Sequence, residues 1–171
     1  MKRFFLILAV LYAIITGNAL SQEMQKGSSV LNLGLGFVEG GLLDIGELGV
    51  GMNVAYDYGL IDTWGPGIFT IGGFVGFSTR SPHNIRYTNW GITPRATYRY
   101  PISSSFEVYG TAMVGLYLVT NSLDLVDTKY RHLVASTVGL RHWFGSNISI
   151  FTELGVFGSV LLFNGGLGFS F

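Results

Sequence analysis

The chain of 171 residues is long enough for one domain, and its 10 basic and 10 acidic residues balance, which excludes the basic footprint of a nucleic-acid-binding protein. It contains no cysteine, so disulfide staples, thiolate nucleophiles and thiolate metal sites are excluded as well. Only 12% of the residues are charged and 49% are hydrophobic, whereas a water-soluble surface has roughly a quarter or more charged residues.

The N-terminus has the organisation of a cleavable export signal. Two basic residues after Met1 precede an apolar run over residues 4–15, and Ala19 and Ser21 occupy the −3 and −1 positions of a cleavage site. The run is shorter than the roughly 20 apolar residues of an anchoring helix. We therefore predict a signal peptide over residues 1–21.

The remaining chain is apolar but has no uninterrupted apolar segment long enough for a membrane helix. A chain that crosses lipid without helices must be a closed β-barrel, because every backbone N–H and C=O group in lipid has to be paired. Such a barrel requires segments of about ten residues in which apolar residues alternate with small or polar ones.

Four segments in the first half of the chain show this alternation. The predicted outward residues are Leu31, Leu33, Leu35 and Phe37 in strand 1, Leu48, Val50, Met52, Val54, Tyr56 and Tyr58 in strand 2, Phe69, Ile71, Val75 and Phe77 in strand 3, and Trp90, Ile92, Pro94, Ala96, Tyr98 and Tyr100 in strand 4. Phe74 is predicted to point inward. Pro94 is an awkward member because proline cannot donate to a ladder. We predict a polar loop over residues 79–88.

Four more segments follow. Their predicted outward residues are Phe106, Val108, Ala112, Val114, Leu116 and Leu118 in strand 5, Val134, Val138, Leu140 and Phe144 in strand 6, Ile148, Ile150, Leu154 and Val156 in strand 7, and Phe163, Leu167, Phe169 and Phe171 in strand 8. Eight strands are the smallest number usual for such barrels. The predicted fold is therefore an all-β, eight-stranded antiparallel up-and-down transmembrane β-barrel.

Connections should alternate between short turns after even strands and longer loops after odd strands. Two connections depart from this rule: the turn near Asp62 is longer than ideal, and the loop near Gly158 is shorter than expected.

The charged residues of the strands fall on the inward parity. They are Asp57, Arg95, Arg99, Glu107, Arg141 and Glu153. Turn symmetry predicts that Arg99 lies opposite Glu107, and that Arg141 lies opposite Phe151 and diagonal to Glu153. We interpret this set as an ion-pair network that fills a narrow interior; the alternative is a polar conduit or proton path.

Aromatic residues cluster where strands meet turns. They are Tyr56, Tyr58, Tyr98, Tyr100, Phe106 and Phe144. An aromatic belt at the membrane interface explains this placement, because amphipathic rings prefer the headgroup level; the alternative is a site for stacking a sugar or another ligand.

The final strands resemble a known family. The resemblance rests on three stretches: Val138-Gly139-Leu140-Arg141-His142-Trp143-Phe144, Phe151-Thr152-Glu153-Leu154-Gly155 and Gly165-Gly166-Leu167-Gly168-Phe169-Ser170-Phe171. They resemble the small eight-stranded outer-membrane β-barrel proteins of Gram-negative bacteria, a porin-like group related in shape to the OmpA membrane domain. The resemblance implies a barrel over residues 29–171 in the outer membrane, after a short periplasmic segment over residues 22–28. It also implies that Leu167, Phe169 and Phe171 form the signal by which the barrel assembly machinery recognises its clients.

No catalytic, cofactor or metal site is predicted. No serine stands two residues after His83, His132 or His142, and Ser136, the only serine on the strand face of His142, is six residues or about 20 Å away, beyond hydrogen-bond reach. The acidic residues of the first and third outer loops could hold a divalent cation, but solvated loop charge explains them more simply; they are Glu39, Asp44, Glu47, Asp124 and Asp127.

We therefore expect a non-enzymatic outer-membrane barrel that contacts membrane lipid, acts as a structural or loop-presenting platform, and has a loop partner that the sequence leaves unknown. One alternative is a narrow channel for small solutes or ions. The other is a soluble periplasmic carrier of lipocalin type, with apolar residues inside the barrel.

Overall fold

The alternating segments form eight β-strands in a computed structural model that describes residues 24–39, 48–62, 65–81, 87–121, 129–157 and 160–171. The predicted signal peptide and the acidic loop residues Asp44, Glu47, Asp124 and Asp127 lie outside these residues. The strands are β1 (Ser29–Glu39), β2 (Leu48–Ile61), β3 (Ile68–Arg80), β4 (Tyr87–Ser103), β5 (Phe106–Asn121), β6 (Lys129–Phe144), β7 (Ile148–Phe157) and β8 (Val160–Ser170).

Each strand pairs with its neighbours in sequence, and β1 pairs antiparallel with β8 to close the barrel. Closure is completed at the last residue, because the Phe171 N–H donates to the Ser29 carbonyl and the Ser29 N–H donates to the Phe171 carbonyl, each at 3.0 Å. The predicted eight-stranded antiparallel up-and-down barrel is confirmed. No helix in the described ranges is long and apolar enough to cross a membrane.

The strands are staggered around the barrel. Following paired residues once around the barrel from Tyr130 leads back to β6 at Leu140, ten residues further along the strand. Closure with such a stagger requires strands tilted by about 35–45° to the barrel axis. The resulting eight-stranded interior is just wide enough to be filled by side chains.

The two ends of the barrel differ. The turn end carries the β2–β3, β4–β5 and β6–β7 connections, and the last of these is a tight turn in which Gly145 adopts a φ of 71°. The loop end carries the other connections. Here β3 and β4 extend further than predicted, because Thr79 pairs with Thr88, so the expected loop over residues 79–88 was too long. β-branched threonine suits a strand and lengthens the ladder.

Apolar residues cover the outside of the barrel, as predicted. Examples that are more than half exposed on the isolated chain are Leu35, Ile92, Val138 and Leu154. Phe74 points inward and is buried with Ala55, Met113 and Ala135. This orientation contradicts the carrier alternative, which requires the outward apolar set to line the interior.

A second apolar cluster closes the turn end. Met24, from the segment before β1, is buried against Val30, Ile68 and Trp143. The segment is held in place because the Gly27 N–H donates to the Gly59 carbonyl at 2.9 Å.

Candidate functional site: an ion-pair network inside the barrel

The six inward charged residues come from five strands and meet inside the barrel near its turn end. They are Asp57 (β2), Arg95 and Arg99 (β4), Glu107 (β5), Arg141 (β6) and Glu153 (β7), and all are at most 6% exposed. Three guanidinium groups and three carboxylates give a neutral set when all are ionised. Buried charges are tolerated only when they are paired and hydrogen-bonded, so the contacts of each arginine determine whether the set is satisfied.

Arg99 joins two carboxylates. Its Nη2 lies 2.6 Å from Asp57 Oδ2, and its Nη1 lies 2.5 Å from Glu107 Oε1. The Arg99 side chain is fully buried, so both contacts are charge-assisted hydrogen bonds shielded from water.

Arg95 joins Asp57 to the other side of the barrel. Its Nε lies 3.0 Å from Asp57 Oδ1, and its Nη2 lies 3.5 Å from Glu153 Oε1. Nη2 also donates to the hydroxyl of Thr111 at 3.3 Å. Asp57 therefore receives a different arginine on each oxygen and also accepts from the Asn32 amide at 3.1 Å.

Arg141 completes the network towards the β1–β8 closure. Its Nε lies 3.2 Å from Glu107 Oε1, its Nη2 donates to Asn32 Oδ1 at 2.7 Å, and its Nη1 donates to Ser149 Oγ at 3.3 Å. Arg141 thus links β5 and β7 to β1.

Tyr109 organises the centre of the network. Its ring lies 5.1 Å from the Arg99 guanidinium carbon and 5.6 Å from that of Arg141, which is cation–π geometry. Its hydroxyl donates to Glu153 Oε1 at 3.0 Å. The ring lies over Gly139, where an added Cβ would overlap it, so this glycine provides the space that the ring requires.

One of the predicted strand pairings needs correction. Arg99 lies opposite Tyr109, and Glu107 lies opposite Pro101, because the pairing of β4 with β5 is centred on Ser104, one residue later than the prediction requires. Arg99 still reaches Glu107 as a diagonal neighbour.

Arg141 lies opposite Phe151 and diagonal to Glu153, as predicted. Its carboxylate partner, however, is Glu107, which stands directly across on β5, and a facing partner is closer than the predicted diagonal one on β7. Glu153 is contacted instead by Arg95, Tyr109 and Asn164.

Sequence reasoning missed the uncharged ligands of the network: Asn32, Ser149 and Asn164. They lie on the same inward face of the strands as the charged residues, and this parity was the signal that could have identified them. Their partners depend on contacts across the barrel, which the pairing of adjacent strands does not give.

The predicted assembly residues lie elsewhere, on the outer surface at the end of β8. Leu167 is about half exposed and Phe171 is largely exposed, while Phe169 is intermediate. His142 is also on the outer face at the turn end, where its ring contacts Phe106 and Phe144. In the described part of the chain, no group of three or more His, Asp or Glu residues could hold a metal ion.

Neither a protein-family model nor a curated protein matches the chain. Solved structures match over most of its length. Neisserial surface protein A has a TM-score of 0.62 at 12% identity, covering 85% of this chain and 98% of that one. The attachment invasion locus protein Ail of Yersinia pestis has a TM-score of 0.57 at 17% identity, covering 86% and 100%. A de novo designed transmembrane β-barrel has a TM-score of 0.58 at 13% identity, covering 88% and 100%. The chain therefore has the fold of the small eight-stranded outer-membrane β-barrels.

Proposed function

We propose that this protein is a non-enzymatic barrel of the bacterial outer membrane, in which the strands are a rigid scaffold and the loop end faces the cell exterior to contact a partner. The observation that carries this proposal is the arrangement of polarity: lipid-compatible side chains cover the wall, and a neutral, ion-paired network occupies the interior. Charge on the lipid side would cost about 2–4 kcal/mol per arginine or lysine at the bilayer midplane.

The interior supports a scaffold more than a channel. Arg99, Arg141 and Asp57 are each at most 1% exposed, so little water-accessible space adjoins them. Below them, the Trp143 cluster fills the turn end. An ion crossing the barrel would have to separate these pairs, which is costly in a low-dielectric interior.

We also propose a route by which the chain is exported and assembled into the outer membrane. The export signal over residues 1–21 would deliver the chain to the periplasm, and residues 22–28 would stay on that side as the segment below the barrel. Leu167, Phe169 and Phe171 would then engage the barrel assembly machinery before the wall meets membrane lipid. This part of the proposal is supported by their sequence pattern and by the exposure of Phe171.

The first experiment compares boiled and unboiled samples of the protein from purified outer membranes by SDS gel mobility. We expect a mobility shift, because a closed barrel keeps its shape in SDS until it is heated. Recovery in the soluble fraction with no shift would refute the outer-membrane assignment.

The channel alternative is tested with the same heat-shifting protein in planar bilayers. We expect no single-channel events. An Arg95→Ala/Arg99→Ala variant that still shows the gel shift is the comparison, because it removes two of the three buried arginines among the described residues. Conductance in the unmodified protein would replace the scaffold role with the channel.

The assembly signal is tested in cells with Phe171→Ala. We expect less assembled barrel in the outer membrane, but normal refolding of the purified chain into detergent. Tyr130→Ala is a matched control, because Tyr130 is also a highly exposed outer aromatic residue but lies at the opposite end. Equal assembly of the two variants would remove Phe171 from the signal.

A further inference from the structure

A histidine stands on the outer wall of the barrel at the turn end. His142 is partly exposed on the outer face of β6, shortly before the tight turn that contains Gly145. Across the sheet it faces Phe106 on β5 and Ile150 on β7, and Leu140 precedes it on the same face of β6. These neighbours on the wall offer the imidazole neither a charge nor a side-chain hydrogen bond.

Two aromatic rings hold this imidazole in place. Its centroid lies 6.4 Å from that of Phe106 with the planes at 45°, and 4.8 Å from that of Phe144 with the planes at 83°, an edge-on contact. Within the described ranges, no group forms a hydrogen bond with the imidazole nitrogens. The carboxylates of the adjacent strands, Glu107 and Glu153, are buried on the inner face. The imidazole is therefore positioned without a polar partner in the protein.

The position of His142 along β6 corresponds to the level of the lipid headgroups. His132 is exposed on the same face of β6, ten residues earlier. The outward residues between the two histidines are uncharged: Val134, Ser136, Val138 and Leu140. Ten residues span about 33 Å along a strand, and a tilt of about 35–45° reduces this to about 25 Å along the barrel axis. This is the height of the apolar band of such barrels, so the two histidines lie at its opposite borders.

The surroundings of His142 indicate which acceptor it meets. An imidazole N–H donates a hydrogen bond, and a protonated imidazole also pairs with an anion. A polar group without a partner is costly in lipid. The phosphodiester of a glycerophospholipid supplies charged oxygens at the headgroup level, and hydrogen bonds to charged groups are the stronger ones. We propose that His142 binds the phosphodiester of a glycerophospholipid in the leaflet at the turn end, with the acyl chains lying against the wall.

The wall beside His142 also accommodates the acyl chains. Leu140 and Ile150 are exposed apolar side chains next to it, and Val138 continues the apolar surface towards the middle of the barrel. Gly110 faces Val138 from β5, and an added Cβ at this glycine would meet nothing within 4 Å. This position therefore leaves a shallow recess between larger side chains. The inference rests on the proposed function, because it requires the wall to face lipid and the turn end to lie at one membrane surface.

Nuclear magnetic resonance tests the site directly, because the chain has only 3 histidines. The protein is labelled with nitrogen-15 histidine, purified from outer membranes into a maltoside detergent and freed of bound lipid. Each imidazole signal is assigned by changing that histidine to glutamine. Dihexanoyl-phosphatidylglycerol is then titrated into the sample, and parallel titrations use inorganic phosphate and a dihexanoylglycerol with a galactose headgroup. The galactose lipid has the same acyl chains but no phosphate.

We expect the His142 signal to shift saturably with phosphatidylglycerol and to need about tenfold more of the galactose lipid, because a charge-assisted hydrogen bond is stronger than a neutral one. Inorganic phosphate at the same concentrations should leave the signal in place, because it buries no acyl chain on the wall. Equal midpoints for the two lipids, or an equal shift with inorganic phosphate, would overturn the proposal. Equal midpoints at His132 and His142 would reject a site formed by Phe106 and Phe144.

Native mass spectrometry of variants gives a second test. His142→Phe keeps a ring at this level but removes both nitrogens, and we expect it to retain about tenfold less phosphatidylglycerol than the parent, for the same reason. Ile150→Phe is the matched control, because Ile150 faces His142 on β7 and the variant leaves the imidazole in place; it should bind as the parent does. Equal binding by His142→Phe would contradict the proposal.

The gel shift of the same samples separates the two proposals. Heat-shifting parent barrels that show no preference for the phospholipid would reject the His142 site and leave the outer-membrane scaffold intact. A parent protein without the shift would reject the proposed function, and the lipid site with it. The titration uses the unmodified protein, so it decides the question even when His142→Phe fails to fold.

Discussion

Replacing Arg99 by methionine tests whether the interior network stabilises the barrel. The change removes both contacts of the guanidinium, with Asp57 at 2.6 Å and Glu107 at 2.5 Å. Asp57 keeps Arg95 at 3.0 Å, and Glu107 keeps Arg141 at 3.2 Å, so neither carboxylate is left alone, but the interior gains one uncompensated negative charge. Breaking a buried pair in this way costs about 3–5 kcal/mol in the free energy of unfolding.

The free energy is measured by urea titration of the protein in phosphatidylcholine vesicles, with the heat-shifted band as the signal for folded barrel. The double variant Arg99→Met/Glu107→Gln restores neutrality, and we expect it to be more stable than the sum of the two single changes by about 1–3 kcal/mol. Lys26→Met is the control, because Lys26 is exposed outside the barrel and its loss should leave the midpoint unchanged. Additive effects, or an Arg99→Met variant as stable as the parent, would refute the reasoning.

Three other changes give separate tests in the same titration. Val138→Arg places a charge on the lipid face, where Val138 is 62% exposed, and should destabilise by about 2–4 kcal/mol; a smaller loss would show that this face is not in lipid. Gly139→Val should cost about 1–3 kcal/mol, because the new side chain overlaps the Tyr109 ring, and an unchanged midpoint would show that the ring can move aside. Pro94→Val should stabilise by about 1 kcal/mol, because the β4–β5 ladder is interrupted at Pro94 and a new N–H would supply a donor; a lower midpoint would contradict this.

Most of the fold is predictable from the sequence because each strand faces two different environments. Lipid on one side and packed polar groups on the other impose a period of two, and a one-residue slip would turn every side chain to the wrong face. The apolar side chain of Val138 and the charged side chain of Arg141 are therefore enough to predict that the first faces lipid and the second faces the interior. The strand ends near Thr79 and Thr88 were less predictable, because polar residues outside the membrane can either pair or form a loop.

The network was predictable in membership but not in detail. Parity alone placed all six charged residues inside, whereas the partner of each depends on register and on reach across the barrel. The β4–β5 hairpin is centred one residue later than predicted, so Glu107 does not lie opposite Arg99. The participation of Asn32 depends on the closure of β1 against β8, which a strand-by-strand analysis cannot supply.

The stagger and the network together restrict how the molecule can form. The contacts of Arg141 extend from β5 and β7 to Asn32 on β1, and Asn164 of β8 reaches Asn53 of β2. Before the first and last strands meet, these polar groups have no complete set of partners and would face hydrocarbon in a half-open sheet. A partly inserted sheet therefore carries an electrostatic cost that is removed only when the barrel closes. We expect folding to be all-or-none, with the pairing of the last hairpin as the step that completes the network.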